Sequence, residues 1–135
     1  MKKLCVIDGQ GGGIGSAVIK KLKEKFSERI EIIALGTNAV ATSQMLKARA
    51  NRGASGENAI VRTVKTVDVI IGPLSILIAH AMMGEVSPKI AEAIAGSSAK
   101  KYLIPLFQEN IEIVGMPLTP LPRLIDTFLQ ENLKI

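Results

Sequence analysis

Apolar residues fall in short continuous runs, separated by glycine-bearing turns and by stretches in which they recur every third or fourth position. Lys3 to Ile7 is the first run and stops at Asp8, the pattern of a strand buried on both faces. Beyond it, Ile14, Val18, Leu22 and Phe26 recur at helical spacing, with Ala17 and Ile19 widening the stripe and lysines filling the opposite side. Ile30 to Leu35 forms a second strand, interrupted only by Glu31. Gly36-Thr37-Asn38 follows it, and Asn38 is placed to cap a helix over Ala39 to Ala50. A strand, a helix and a strand in this order predict parallel neighbours joined by a right-handed crossover.

Asn51 to Asn58, NRGASGEN, reads as a polar loop whose Ser55 caps a helix from about Gly56 to Lys65. Val67 to Ile71 is a third buried strand. Leu74 to Met83 follows Gly72-Pro73 and is apolar almost all round, so a buried helix is expected there. Cover for every side of it calls for a second copy of the chain, hence a homo-oligomer. Ser87 and Pro88 open the next helix. Tyr102 to Leu106 and Ile111 to Val114 look like two further strands, and the connection from Phe107 to Asn110 is too short for a parallel crossover, so the last strand should be antiparallel. Pro117, Pro120 and Pro122 lead into a final amphipathic helix carrying Leu124, Ile125, Phe128 and Leu129.

These elements sum to an α/β fold, a Rossmann-like three-layer sandwich formed by residues 1–135 as one domain. Its sheet is expected to be mainly parallel, in the order 2-1-3-4-5, with 3-2-1-4-5 as the alternative and ligand at the carboxyl ends of the strands.

Composition narrows the partners. A net charge of +5 invites a nucleic acid, but only Phe26, Tyr102, Phe107 and Phe128 are aromatic, too few for stacking platforms. The densest basic cluster, Lys20, Lys21, Lys23, Lys25 and Arg29, reads as a solvated helix face. No nucleic-acid partner is expected. One cysteine, Cys5, and one histidine, His80, exclude an internal disulfide and a Cys/His metal cluster. Cys5 lies in a strand pattern that suits a buried, inert thiol, and a reducing cytoplasmic setting follows. The apolar run before Asp8 is too short for a signal-peptide core, and no run reaches the roughly 20 residues of a membrane span.

The chemistry concentrates in Asp8-Gly9-Gln10-Gly11-Gly12-Gly13-Ile14-Gly15. Glycine is needed where the chain takes a positive φ and where backbone must approach a phosphate without a Cβ in the way. The helix behind it offers unpaired N–H groups to an anion. Asp8 would repel a phosphate and is expected to turn inward, accepting loop N–H groups. Gly36, Thr37 and Asn38 replace the acidic residue that commonly reads a ribose at the end of the second strand, with Arg49 and Arg52 near enough in sequence to contribute. With Gly72, Pro73 and Ser75 these segments should meet in one cleft, holding NAD or NADP or another phosphorylated small molecule.

The Gly9-x-x-x-Gly13-x-Gly15 spacing resembles the cofactor loop of short-chain dehydrogenases, with Asp8 where those enzymes usually carry Thr. The likeness ends there, because the only tyrosine, Tyr102, has Leu106 four positions on and no Tyr-x-x-x-Lys pair exists. Over nearly the whole chain, VIDGQGGGIG, IIALGTNAVATSQMLKARANRGASGENAI, IIGP and IAEAIAGSSAKKYLIPL resemble a family of short bacterial proteins of unknown function. That resemblance implies a Rossmann-like fold and transfers no catalytic residue. A nucleotide-binding sensor or accessory subunit is therefore expected first, a small oxidoreductase with a site shared between subunits second, and a non-enzymatic oligomeric scaffold third.

Overall fold

A computed structural model of the chain describes residues 1–106 and 110–135. Five strands, β1 (Lys2–Asp8), β2 (Ile30–Gly36), β3 (Arg52–Ser55), β4 (Val69–Pro73) and β5 (Lys100–Ile104), form one sheet in the order β3-β2-β1-β4-β5. Every pairing is parallel. The helices are α1 (Gly13–Phe26), α2 (Ala39–Lys47), α3 (Glu57–Thr63), α4 (Pro88–Gly96) and α5 (Leu121–Thr127).

The period-two geometry of a strand divides the core. Leu4 and Val6 of β1 join Ile32 and Ala34 of β2 under α1, α2 and α5, with Val18, Ile19, Leu22, Met45 and Phe128 packed against them. Cys5 and Ile7 point the other way, with Ile33, Leu35 and Ile70, toward Ile60 of α3 and Ile90 and Ile94 of α4. Three layers result, as the continuous apolar runs demand. Cys5 is fully buried, and desolvation pushes its thiol up to about 12, which leaves it un-ionised and inert at neutral pH.

The structure departs from the expected elements at several points. The order 2-1-3-4-5 gives way to 3-2-1-4-5 because the loop NRGASGEN contains a strand, β3, which lies outside β2 and shifts the numbering. Among the strands anticipated from apolar runs, the neighbours are as expected: β2 beside β1, β1 beside β4, and β4 beside β5. Second, Ile111 to Val114 is not a strand and no antiparallel strand closes the sheet. The chain leaves β5 at Pro105, which has no N–H for a ladder, and Val114 and Leu118 stand fully exposed. The short connection invoked for that strand lies partly outside the described residues. Third, Leu74 to Met83 is a single 3₁₀ turn, Leu74–Leu77, followed by tight turns rather than a helix. Ser75, Ile76, Ala81 and Met82 of this segment are buried within the same chain, so it does not require a second copy for cover. The helix after β3 also begins differently from expectation. Gly56, at φ 97°, precedes it, and Ser55 is the last residue of β3.

Nor is the basic face of α1 wholly solvated. Lys23 is buried, and its Nζ donates to Asn51 Oδ1 at 3.0 Å while pairing with Glu28 at 3.5 Å. The same Asn51 oxygen accepts from the Ile32 N–H, so Lys23 ties α1 to the turn between α2 and β3. Lys25 Nζ donates to the Leu129 carbonyl at 2.7 Å and pins the segment that continues α5. Lys23→Ala is expected to lower unfolding free energy by about 1–2 kcal/mol in urea denaturation, through one lost hydrogen bond to a charged donor and lost packing of its stem. Lys20→Ala, on the exposed face, should change it by less than about 0.5 kcal/mol.

Among the described residues no helix is long and apolar enough to cross a membrane.

Candidate functional site

In the order β3-β2-β1-β4-β5 the crossovers from β1 run one way and return to β4 on the other side, so a crevice opens above the carboxyl ends of β1 and β4. The glycine loop lies at that edge. Gly12, at φ 73°, is the N-cap of α1, and its N–H closes a turn onto the Gly9 carbonyl at 2.9 Å. Asp8 organises the turn from within: Oδ1 accepts from Gly9 N–H at 2.8 Å and Oδ2 from Gly15 N–H at 2.7 Å. Its carboxylate thus satisfies an orphan donor of the first turn of α1 from the end of β1.

The five glycines divide into two kinds. A Cβ on Gly9 would meet Met82 Sδ and Thr37 Oγ1 at 2.5 Å, one on Gly12 the Ala41 backbone at 2.9 Å, and one on Gly15 Met45 Sδ at 2.5 Å and Asp8 Cβ at 3.0 Å. These three are required by packing, and Gly12 by its φ as well. Gly11 and Gly13 are different. Neither has a left-handed φ, and a Cβ at either position would enter open space. Both are exposed, and among the described residues no protein group accepts a hydrogen bond from either N–H. Bare backbone facing an open crevice at the positive end of a 14-residue helix fits a phosphate.

The end of β2 is bound into the same edge. Thr37 N–H donates to the Asp8 carbonyl at 3.0 Å. Asn38 caps α2, its Oδ1 accepting from Ala41 N–H at 2.8 Å, while its Nδ2 donates to the Gln10 carbonyl at 3.0 Å. Gly9 to Gly15 and Gly36 to Asn38 therefore do converge. Gly72 presses close to β1, since a Cβ there would meet the Ile7 carbonyl at 2.5 Å. Pro73 and Ser75 are buried behind that contact, and among the described residues no hydrogen bond joins either to the glycine loop. Arg52 sits at the start of β3, away from the carboxyl edge, and its guanidinium pairs with Glu31 at 2.7 Å. Tyr102 packs on Phe128 with ring centroids 5.2 Å apart, on β5.

One residue of the site was not anticipated. Glu85, at the end of the tight turns before α4, reaches the glycine loop, and its Oε1 accepts from Gln10 N–H at 2.8 Å, Thr37 Oγ1 at 2.6 Å and Asn38 Nδ2 at 2.8 Å. Partial burial opposes its ionisation, but the three donors together outweigh that and hold the carboxyl below its ordinary value. Asp8 shifts the other way: desolvation, aided by the charge of Glu85, outweighs the loop N–H groups and raises it.

The two carboxyls consequently answer acid in opposite senses. Glu85 contributes stability above its unfolded pKa that is lost as pH falls through its lowered folded value, whereas the folded state protonates Asp8 before the unfolded chain does, so this group favours folding more as pH falls toward the ordinary aspartate range. Asp8→Asn removes the buried charge but presents an NH₂ to one of two inward N–H groups. A net loss of about 1–2 kcal/mol is expected in denaturant unfolding at pH 7, the unsatisfied donor outweighing the relief of desolvation.

Fold and loop together define a Rossmann-like α/β domain with a glycine-rich turn at the carboxyl edge of its sheet. Within that class, the chain belongs to the family described as Domain of unknown function (DUF3842), whose model matches residues 3–135. No curated protein matches it. Among solved structures it is similar to a dodecameric FMN-dependent UbiX-like decarboxylase from Escherichia coli O157:H7, with 18% identity and a TM-score of 0.49 over 96% of this chain and 74% of that one. It is also similar to a universal stress protein in complex with cAMP, with 16% identity and a TM-score of 0.43 over 77% of this chain and 98% of that one. Family membership agrees with the whole-chain resemblance, while the likeness to short-chain dehydrogenases stays confined to the spacing of the glycines.

Proposed function

We propose that this protein binds a phosphorylated nucleotide at the carboxyl ends of β1, β2 and β4, with NAD and NADP the first ligands to test, and that it acts as a sensor or accessory subunit. The observation that carries the proposal is the pair Gly11 and Gly13. Neither packing nor backbone conformation calls for glycine at these positions, and both leave N–H groups open to an incoming phosphate. The neutral side chains of Thr37 and Asn38 lie beside them, where a ribose or a further phosphate would extend.

Self-association belongs to the same proposal. Val114 and Leu118 are exposed apolar residues that a second copy would cover, and light scattering at micromolar concentration checks this.

With no Trp and one Tyr, the protein absorbs weakly near 280 nm, so a co-purified nucleotide dominates its ultraviolet spectrum. Purified protein is expected to carry such absorbance or to melt higher with NAD, NADP, AMP, FMN or inorganic pyrophosphate. A nucleotide-free preparation that melts identically with all five overturns the proposal.

A further inference from the structure

Part of the donor set at the glycine crevice already holds an anion, which belongs to the protein, while the Gly11 and Gly13 N–H groups stay open. Glu85 Oε1 takes the Gln10 N–H from the phosphate turn itself, together with the Thr37 hydroxyl and the Asn38 amide from the end of β2. A single carboxylate oxygen receiving three donors is a strong, charge-assisted contact. It brings together segments 75, 48 and 47 residues apart.

The segment that delivers Glu85 is itself held in a sparsely populated conformation. His80, Met82 and Met83 have φ of 72°, 57° and 56°, and Gly84 has 90°. Three residues with side chains in the left-handed region within four positions are strained, and such strain persists only where surrounding contacts fix it. Here the fixing contacts are visible. His80 N–H donates to the Val86 carbonyl at 2.6 Å and Val86 N–H to the Ala81 carbonyl at 3.1 Å, closing the segment on itself. Ala81 and Val86 anchor it in the core, while Met83 at its tip is 94% exposed. Both ends are fastened, and the tip is open to solvent.

We infer that residues 78–86 form a latch, in which the Glu85 carboxylate holds the Gln10 N–H beside the open Gly11 and Gly13 donors and must release it when a ligand phosphate engages the whole loop. This inference rests on the proposed binding of a phosphorylated nucleotide and adds its regulation. Carboxylate and phosphate compete for the Gln10 N–H, so the closed latch lowers apparent affinity by the fraction of molecules in which it is open. The three hydrogen bonds of Glu85 Oε1 favour the closed form, and a ligand phosphate on the same loop favours the open one.

The test is calorimetric titration of inorganic pyrophosphate and of NAD into wild type, Glu85→Gln and Glu85→Ala, each checked for folding by its far-ultraviolet melting curve. Glu85→Gln keeps the shape and an accepting oxygen, so it carries the test if Glu85→Ala does not fold. The expected result is a graded gain for both probes, about tenfold or more for Glu85→Ala and smaller for Glu85→Gln. In wild type, saturating NAD should speed hydrogen exchange at Gly84 and Val86. Unchanged or weaker binding of NAD in the variants overturns the latch and leaves the binding proposal standing, because Glu85 is then a bystander or a ribose acceptor. Slower exchange at Gly84 and Val86 with NAD also overturns it, since the segment then closes over the ligand. Failure of every protein to bind either probe overturns the binding proposal, and the latch with it.

Discussion

Gly13→Ala is expected to keep the fold and lose the ligand. Gly13 is the first residue of α1, its φ lies outside the left-handed region, and a Cβ there meets no protein atom. Alanine is the better helix former, so the unfolding free energy should stay level or rise by up to about 0.5 kcal/mol. The methyl group stands where the phosphate must approach. With the N–H no longer reachable, affinity for NAD should fall by about 2–3 kcal/mol, close to a hundredfold at the upper end. Gly12→Ala should do the reverse in its first-order effect. Its φ of 73° and a Cβ 2.9 Å from the Ala41 backbone predict a loss of stability of about 2–4 kcal/mol, through left-handed strain and displacement of α2 from α1. Paired melting curves and titrations check both. A Gly13→Ala protein that binds NAD like wild type removes the main support for a phosphate at this loop and favours the oligomeric scaffold.

The division between these two glycines shows what the sequence could and could not disclose. A run of five glycines announces a strand-to-helix turn, and Asp8 at its start was legible as an inward acceptor because a carboxylate facing a phosphate is unfavourable. Which glycine serves packing and which serves a ligand depends on Ala41, Met45, Thr37 and Met82, neighbours supplied only by the fold. Glu85 was hidden for a related reason. In sequence it is one acidic residue after a glycine, and its role arises from contacts across 47 to 75 residues.

The buried strands were legible because parallel strands covered on both faces carry continuous apolar runs, as Leu4 to Ile7 in β1, Ile32 to Leu35 in β2 and Val69 to Ile71 in β4 do. β3 breaks that rule: Arg52, Gly53, Ala54 and Ser55 are all exposed, and the strand is held by its ladder to β2 and by the Thr42 hydroxyl, which contacts Ala54 O at 3.2 Å and Ser55 Oγ at 2.7 Å. An edge strand secured by backbone leaves no apolar signature. Ile111 to Val114 errs in the opposite direction. Alternating apolar residues there suggest a strand, yet they form no ladder with the edge strand β5, and Val114 is 93% exposed.

Gly36→Ala is expected to be the most damaging single methyl group in the chain, lowering stability by about 3 kcal/mol or more. A Cβ at the end of β2 would collide with Thr42 Oγ1 and would lie 2.6 Å from the Asn38 carbonyl and 2.7 Å from the Thr42 nitrogen. The last two are backbone atoms of the α2 cap and its first turn, so no rotamer change relieves them. Moving α2 outward would loosen the Thr42 hydroxyl from Gly36 N–H, Ala54 O and Ser55 Oγ, and β3 depends on the last two. Thr37 and Asn38 would shift with the cap, so affinity for a phosphorylated ligand should fall together with stability, unlike the separation expected at Gly13. Denaturant unfolding of the double variant Gly36→Ala/Thr42→Ala decides whether the backbone or the hydroxyl dominates. Thr42→Ala relieves the nearest contact but leaves both backbone contacts in place and sacrifices the β3 anchor, so the double variant should be no more stable than Gly36→Ala alone. Recovery to wild-type stability would show that the hydroxyl, rather than the close approach of α2 to β2, makes glycine necessary at this position.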